Sequence, residues 1–292
     1  MDVNQSPFIC ICFPSRLPQG ISAIFPPVKQ DTDVKVLYFG REMQVEVTET
    51  LKEGQLIHLF NPPRQVIKQL SAKLPVILSF DFVPETEVLS KLRFFRVQVP
   101  SLAFRAHFRQ QGIQAEMVQP VPFLDHKKQE IRTLFRKHNR SKQLLIWVDE
   151  RFIVSKIRQS LFQSLQLIQK QFPSLHIVWV GKRLINKSYG WIQLTPKNAD
   201  YGSYWLAADL ILTIVPKEQS LAPVHVQILS QGIPVMTCEG GDHDEWVKHM
   251  HSGILLNRNT LLKELHFYLT QLLKNPSLIS HLKYNARQLI KR

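Results

Sequence analysis

The chain is 292 residues long, with 44% hydrophobic and 21% charged residues, which excludes a disordered or fibrous protein and argues for two domains, each able to bury its own core. Its formal net charge of +14 is unevenly placed: residues 1–125 hold 13 Lys and Arg against 12 Asp and Glu, so nearly all of the excess falls in residues 126–292. Such a bias favours an anionic partner, which could be a nucleotide diphosphate, a nucleic acid or an acidic membrane face. In chain order, Phe8–Phe13, Val34–Phe39, Leu56–Phe60, Val76–Phe80 and Arg96–Val99 read as strands, each apolar and bounded by Pro, Gly, Asn or Asp. Pro63–Lys73 reads as a helix between the third and the fourth. Near-continuous apolar strands with helical connections predict a parallel sheet covered on both faces.

After Pro120-Val121-Pro122 comes a polar, basic segment, Asp125 to Ser141, taken as the domain junction plus a solvated helix. Few aromatic residues interleave with its charges, so specific nucleic-acid binding is not expected. The Lys127–Lys142 region leaves an acidic membrane surface open as a partner. From Leu144 the pattern restarts: strand Leu144–Val148, helix Ser155–Gln171, strands His176–Val180 and Trp191–Leu194, helix Gly202–Ala208, strand Leu210–Val215, helix Ala222–Gln231 and strand Pro234–Thr237. Two βαβ series predict an α/β protein of two Rossmann-like domains facing a cleft, residues 1–124 and 125–292, with the last helix able to cross back.

Three cysteines, Cys10, Cys12 and Cys238, are an odd count with two of them in a very apolar segment, and read as reduced thiols. No apolar run reaches transmembrane length, and Met1–Ser6 lacks a cationic signal-peptide start. The expectation is a cytoplasmic protein, with peripheral attachment to a membrane compatible with its charge.

The run Gln231-Gly232-Ile233-Pro234-Val235, followed by Gly240-Gly241, Glu245 and Gly253-Ile254-Leu255-Leu256, resembles the donor-domain signature of retaining nucleotide-sugar glycosyltransferases of the two-domain GT-B kind, with one extra residue between Gly241 and Glu245. The tail is similar too: Leu261–Lys274, Asn275-Pro276-Ser277 and the phrase Asn285-Ala286-Arg287 look like the family's closing helices. A third match follows the strand Leu144–Val148, where Arg151 and Lys156 stand where the family places two cations on the donor's diphosphate. Glu150 occupies the place of the family's Gly. A guanidinium and an ammonium beside a helix N-terminus make an anion site on physical grounds as well. More faintly, Pro18-Gln19-Gly20-Ile21 resembles the Gly-rich turn of the acceptor domain, where Gly20 would bring backbone N–H groups near a phosphate or sugar.

The resemblance implies a hexosyltransferase-type glycosyltransferase with a nucleotide-diphosphate sugar as donor substrate and no further cofactor, acting on an unknown glycan, lipid-linked or protein acceptor. Its implied donor-binding residues are Arg151, Lys156, Gln219, Gln227, Gly240, Gly241 and Gly20, with Glu218 and Asp81 as catalytic candidates. The sequence also departs from the pattern. Active relatives carry two glutamates at the positions of Gln219 and Gln227, the second gripping the ribose, and an amide accepts a hydroxyl more weakly than a carboxylate does. Glu218 neighbours the first position and could substitute for it. Where the family often has a His, this chain has Phe80 with Asp81 beside it, and His58 is the nearest histidine in sequence. These departures imply an alternative, a catalytically degenerate partner or recognition subunit of an active glycosyltransferase.

Two further clusters have plainer accounts. His243, His249 and His251 with Asp242, Asp244 and Glu245 offer ligand types at no established zinc spacing, so no metal is expected. The rings from Tyr189 to Trp205 could stack a base, but core packing is the expectation for most of them.

Overall fold

The computed structural model describes residues 9–12, 35–38, 57–60, 62, 64–70, 76–80, 83–118, 144–181, 191–194 and 207–289. The chain divides into two compact units, Met1–Val121 with Glu218–Pro223, and Pro122–Lys217 with Val224–Arg292.

The first unit holds six strands: β1 (Ile9–Cys12), β2 (Lys35–Tyr38), β3 (Ile57–Phe60), β4 (Val76–Ser79), β5 (Arg96–Val99) and β6 (Ala115–Met117). They form one sheet in the order β2-β1-β3-β4-β5-β6, and every pairing is parallel. The helices α1 (Arg64–Gln69), α2 (Thr86–Leu92) and α3 (Leu102–Gln110) fall between successive strands from β3 to β6. Helix α3 starts where the Ser101 side chain accepts the Phe104 backbone N–H at 3.2 Å, which satisfies one of the donors that a helix start leaves unpaired. It buries Phe104 and Phe108, one turn apart, beside Leu78, Phe80 and Val97 in a single apolar core. Phe80 is part of that core, its ring 5.9 Å from that of Phe108.

The second unit builds its sheet from β7 (Leu144–Ile153), β8 (Leu175–Val180), β9 (Ile192–Leu194), β10 (Leu210–Ile214), β11 (Val235–Cys238) and β12 (Gly253–Leu256). The order is β12-β11-β10-β7-β8-β9, all parallel. This is the doubly wound order of the Rossmann fold, and the chain reverses direction across the sheet between β7 and β10. A 3-10 turn (Ser155–Ile157) leads into α4 (Arg158–Gln171), and α5 (Ala222–Ser230), the short α6 (His243–Trp246), α7 (Leu261–Lys274) and α8 (Pro276–Leu289) follow. Helix α7 buries Leu261, Leu265, Leu269 and Leu272, a stripe at helical spacing, and α4 buries Leu161, Leu165 and Ile168 in the same way. Both stripes enter one core with the inner faces of β7, β8 and β10.

The α/β class and the parallel sheets are as the sequence predicts, with differences of detail. Strand β7 runs ten residues to Ile153, so Glu150 and Arg151 lie on the strand and not in a loop after it. Most of the helix expected over Gly202–Ala208, the basic segment Asp125–Ser141 and the expected domain boundary at 124–125 lie outside the described residues. No helix among the described residues is long and apolar enough to cross a membrane.

Candidate functional site

In a doubly wound sheet, ligands collect at the carboxyl ends of the strands, at the point where the strand order reverses. The second unit has a cavity there, of about 410 Å³, which reaches the ends of β7, β10 and β11 at Val154, Ile214 and Cys238. That volume lies in the ~300–1,000 Å³ range of small-molecule sites. Ile157, Leu261 and Leu262 add apolar walls, and Lys156, Arg258 and Lys263 supply positive charge. Lys156 is thus one expected donor-site residue that the structure places in a cavity.

Arg151 is placed differently. It projects from the end of β7 back to Asp149, whose carboxylate accepts from its Nε at 3.1 Å and its Nη2 at 2.7 Å. Asp149 is buried, and its Oδ1 also takes the Arg151 backbone N–H at 2.9 Å. Arg151 therefore compensates a buried carboxylate. Glu150, in the place of the family's glycine, has a structural account of its own. Its Oε1 accepts the Trp179 indole N–H at 2.9 Å, and Oε2 lies 3.7 Å from Arg158 Nη1. Gly181 makes room for it, since a Cβ there would collide with the Glu150 side chain.

The Gly240-Gly241 turn follows β11. Both glycines have positive φ, and a Cβ on Gly241 would strike the Lys217 carbonyl oxygen. The Gly240 N–H donates to Asp244 Oδ1 at 3.0 Å. The additional residue after the glycine pair is accommodated inward, because Asp242 and His243 are both fully buried. His243 packs 5.4 Å, ring to ring, from His225 of α5, whose Nε2 lies 3.1 Å from Thr213 Oγ1. Burial holds the His225 imidazole well below its ordinary pKa, and the neighbouring His243 acts the same way. His243 is pushed down to about 4 by burial and by the Arg258 guanidinium, against the opposing pull of Asp244 and the Pro216 backbone. Burial also pushes the Cys238 thiol up to about 11, although Arg258 opposes the shift, so Cys238 is a thiol and not a thiolate nucleophile.

Glu218 is exposed and Gln219 half-buried in the turn after β10, a stretch that belongs to the first unit, where the Glu218 carbonyl accepts the Val83 backbone N–H at 3.1 Å. Gln227 is half-buried on α5. Gly20, Asp81 and the Lys127–Lys142 region lie outside the described residues. His249 is drawn away from any ligand cluster, its Nδ1 accepting the Leu255 backbone N–H at 3.1 Å. Among the described residues no group of three His, Cys, Asp or Glu side chains could hold a metal ion. Trp191 is a core residue, with ring centroids 4.7 Å from Phe162 and 5.9 Å from Trp179.

No family model and no curated protein matches this sequence. Solved structures do match it along nearly its whole length. Anabaena Alr3699/HepE in complex with UDP-glucose aligns with a TM-score of 0.71 at 15% identity, over 97% of this chain and 94% of that one. Sucrose-phosphate synthase from Thermosynechococcus elongatus aligns at 0.67 with 14% identity, over 98% and 94%. WaaG, a glycosyltransferase involved in lipopolysaccharide biosynthesis, aligns at 0.67 with 12% identity, over 97% and 95%. The chain has the GT-B fold.

The cavity of the second unit is lined by Lys156, which the resemblance names, and by Arg258, Thr260 and Lys263, which the sequence analysis does not single out. One signal was available: the polar run Asn257-Arg258-Asn259-Thr260 between a strand and a helix, which carries a cation at a helix start where an acidic residue is the commoner choice.

Proposed function

We propose that the chain is a glycosyltransferase that moves a sugar from a nucleotide-diphosphate sugar to an acceptor, with retention of the anomeric configuration. The observation that carries this reading is the cationic cavity around Lys156 at the strand-order reversal of the second sheet. UDP and UDP-glucose are the molecules held by the HepE structures similar to this chain. Lys156 would neutralise charge that develops on the departing nucleotide, and Arg151, which the resemblance assigns to the same diphosphate, would do so only with a guanidinium already bonded to Asp149. Gly240 and Gly241 would stand near the sugar, Gln219 would assist in donor binding and Gln227 would meet the ribose. Glu218 and Asp81 are the catalytic candidates, and Gly20 is assigned to phosphate or sugar contacts from the first unit.

A second reading, a degenerate glycosyltransferase that recognises substrate for an active partner enzyme, is favoured by one observation. Phe80 is sealed in the apolar core of its unit, where a phenyl ring has no hydrogen bond to offer a reacting sugar. The two readings separate in one experiment on the full chain. Melting temperature is recorded with UDP-, GDP- and ADP-glucose, and donor hydrolysis or transfer is assayed in parallel. The transferase reading expects a rise with at least one donor, accompanied by turnover. Binding without turnover supports the partner reading, and neither binding nor turnover overturns both. Lys156→Ala is expected to weaken nucleoside-diphosphate binding by about tenfold, the scale of one charge-assisted hydrogen bond. Wild-type affinity in that variant by calorimetry would remove Lys156 from the site.

A further inference from the structure

We propose that Arg258, with Lys263 and the first turn of α7, forms a second anion subsite that takes the distal phosphate of a nucleoside diphosphate next to the Lys156 subsite. The inference rests on the nucleotide reading above and adds residues that the sequence resemblance does not supply.

Arg258 leaves the turn after β12 and is fixed at two points. Its Nε donates to the Glu239 carbonyl at 2.9 Å and its Nη1 to the Val215 carbonyl at 2.8 Å. Those two carbonyls follow β11 and β10, so the guanidinium is held across the ends of both strands, and Arg258 lines the cavity. Carbonyl partners hold an arginine in place without cancelling its charge. Among the described residues, no carboxylate forms an ion pair with Lys156, Arg258 or Lys263. Arg151 and Arg158, by contrast, face Asp149 and Glu150.

Two carboxylates near Arg258 are engaged elsewhere. Glu264 accepts the Asn257 backbone N–H at 2.7 Å and the Thr260 hydroxyl at 2.9 Å, and Glu239 accepts from Asn257 Nδ2 at 2.8 Å. The Arg258 guanidinium lies close enough to His243 and Cys238 to act on both, lowering the first after burial and opposing the burial-driven rise of the second.

The helix adds to this charge. Helix α7 is 14 residues long; its N-cap Thr260 makes no side-chain capping bond and its hydroxyl donates to Glu264. The N–H groups of Leu261, Leu262 and Lys263 have no acceptor inside the helix, and these residues line the cavity. Three cations and a helix start around one cavity exceed what a single phosphate monoester needs. A diphosphate, whose second phosphate adds charge beyond the first, matches them.

Calorimetric titration of the full chain with UMP, UDP, GMP, GDP, AMP, ADP and inorganic pyrophosphate tests this. Wild type is compared with Arg258→Gln and Lys263→Ala. The expected result is a loss of about tenfold in diphosphate affinity for Arg258→Gln and of about threefold for Lys263→Ala, with monophosphate affinity unchanged in both. A wild-type preference for diphosphate over monophosphate in both variants overturns the subsite and leaves the nucleotide reading standing. Failure of the wild-type chain to bind any nucleotide overturns that reading and the subsite with it. Lys263 is exposed, so Lys263→Ala decides the matter if Arg258→Gln proves unable to fold.

Discussion

Asp149 shows how one residue can constrain another's role. Its carboxylate is 1% exposed and is matched by the Arg151 guanidinium and backbone N–H. Removing the cation leaves a buried charge uncompensated, which costs about 3–5 kcal/mol. Arg151→Ala is therefore expected to lower unfolding free energy by roughly 3 kcal/mol, whereas Lys156→Ala, at an exposed position, should stay within about 0.5 kcal/mol. Urea unfolding of the two variants checks this, and equal small losses would show that Arg151 has no structural duty. The buried histidines carry a pH signature. The native pKa values of His225 and His243 lie below the ordinary imidazole value of 6.5, so between that value and about 4 the unfolded chain binds more protons than the native one. Stability is complete above 6.5 and is lost as pH falls, by on the order of 2 kcal/mol at pH 5 from His243 alone. His176, lowered by burial, contributes with the same sign. The urea midpoint of wild type should fall from pH 7 to pH 5, and fall less in His243→Gln. A wild-type midpoint unchanged over that range would contradict the assignment.

Helix α7 links the core to the proposed site, because its first turn lines the cavity while its apolar stripe is sealed beneath. Leu265→Ala, at a fully buried position, should cost about 2–5 kcal/mol by leaving a void, and Phe267→Ala, 54% exposed on the other face, less than about 0.5 kcal/mol. Similar losses in denaturant unfolding would mean that the helix is not seated as described. The bounds of α7 agree with those implied by the resemblance of Leu261–Lys274 to the family's closing helices. Helices α2 and α3, of seven and nine residues, are not among the elements expected from the sequence. Ser101 caps the start of α3, and Gly112, with φ of 71°, follows its end. Strand β7 was read five residues short because Asp149, Glu150 and Arg151 interrupt its apolar run. Tertiary partners allow those charges to stay in the strand: Arg151 for Asp149, and Trp179 and Arg158 for Glu150.

At the scale of the whole molecule, the charge asymmetry and the cavity bear on the same question. The cation at Lys156 was visible in the sequence as half of a spaced pair, but Arg258 was not, because strand β12 and helix α7 bring it to the site from about 100 residues away along the chain. Nearly all of the +14 net charge is carried after residue 125, so a nucleotide approaching the second unit meets an attractive field as well as local contacts. A field is screened over a Debye length, about 10 Å at 0.1 M salt and about 3 Å at 1 M, whereas apolar and base contacts are insensitive to salt. UDP binding should therefore weaken severalfold between 0.05 M and 0.5 M NaCl, chiefly through a slower association rate, and uridine binding should stay constant. Stopped-flow association at the two salt concentrations separates field from contact. A UDP association rate and affinity that do not respond to salt would mean that the charge excess of the second unit is directed at some partner other than the nucleotide.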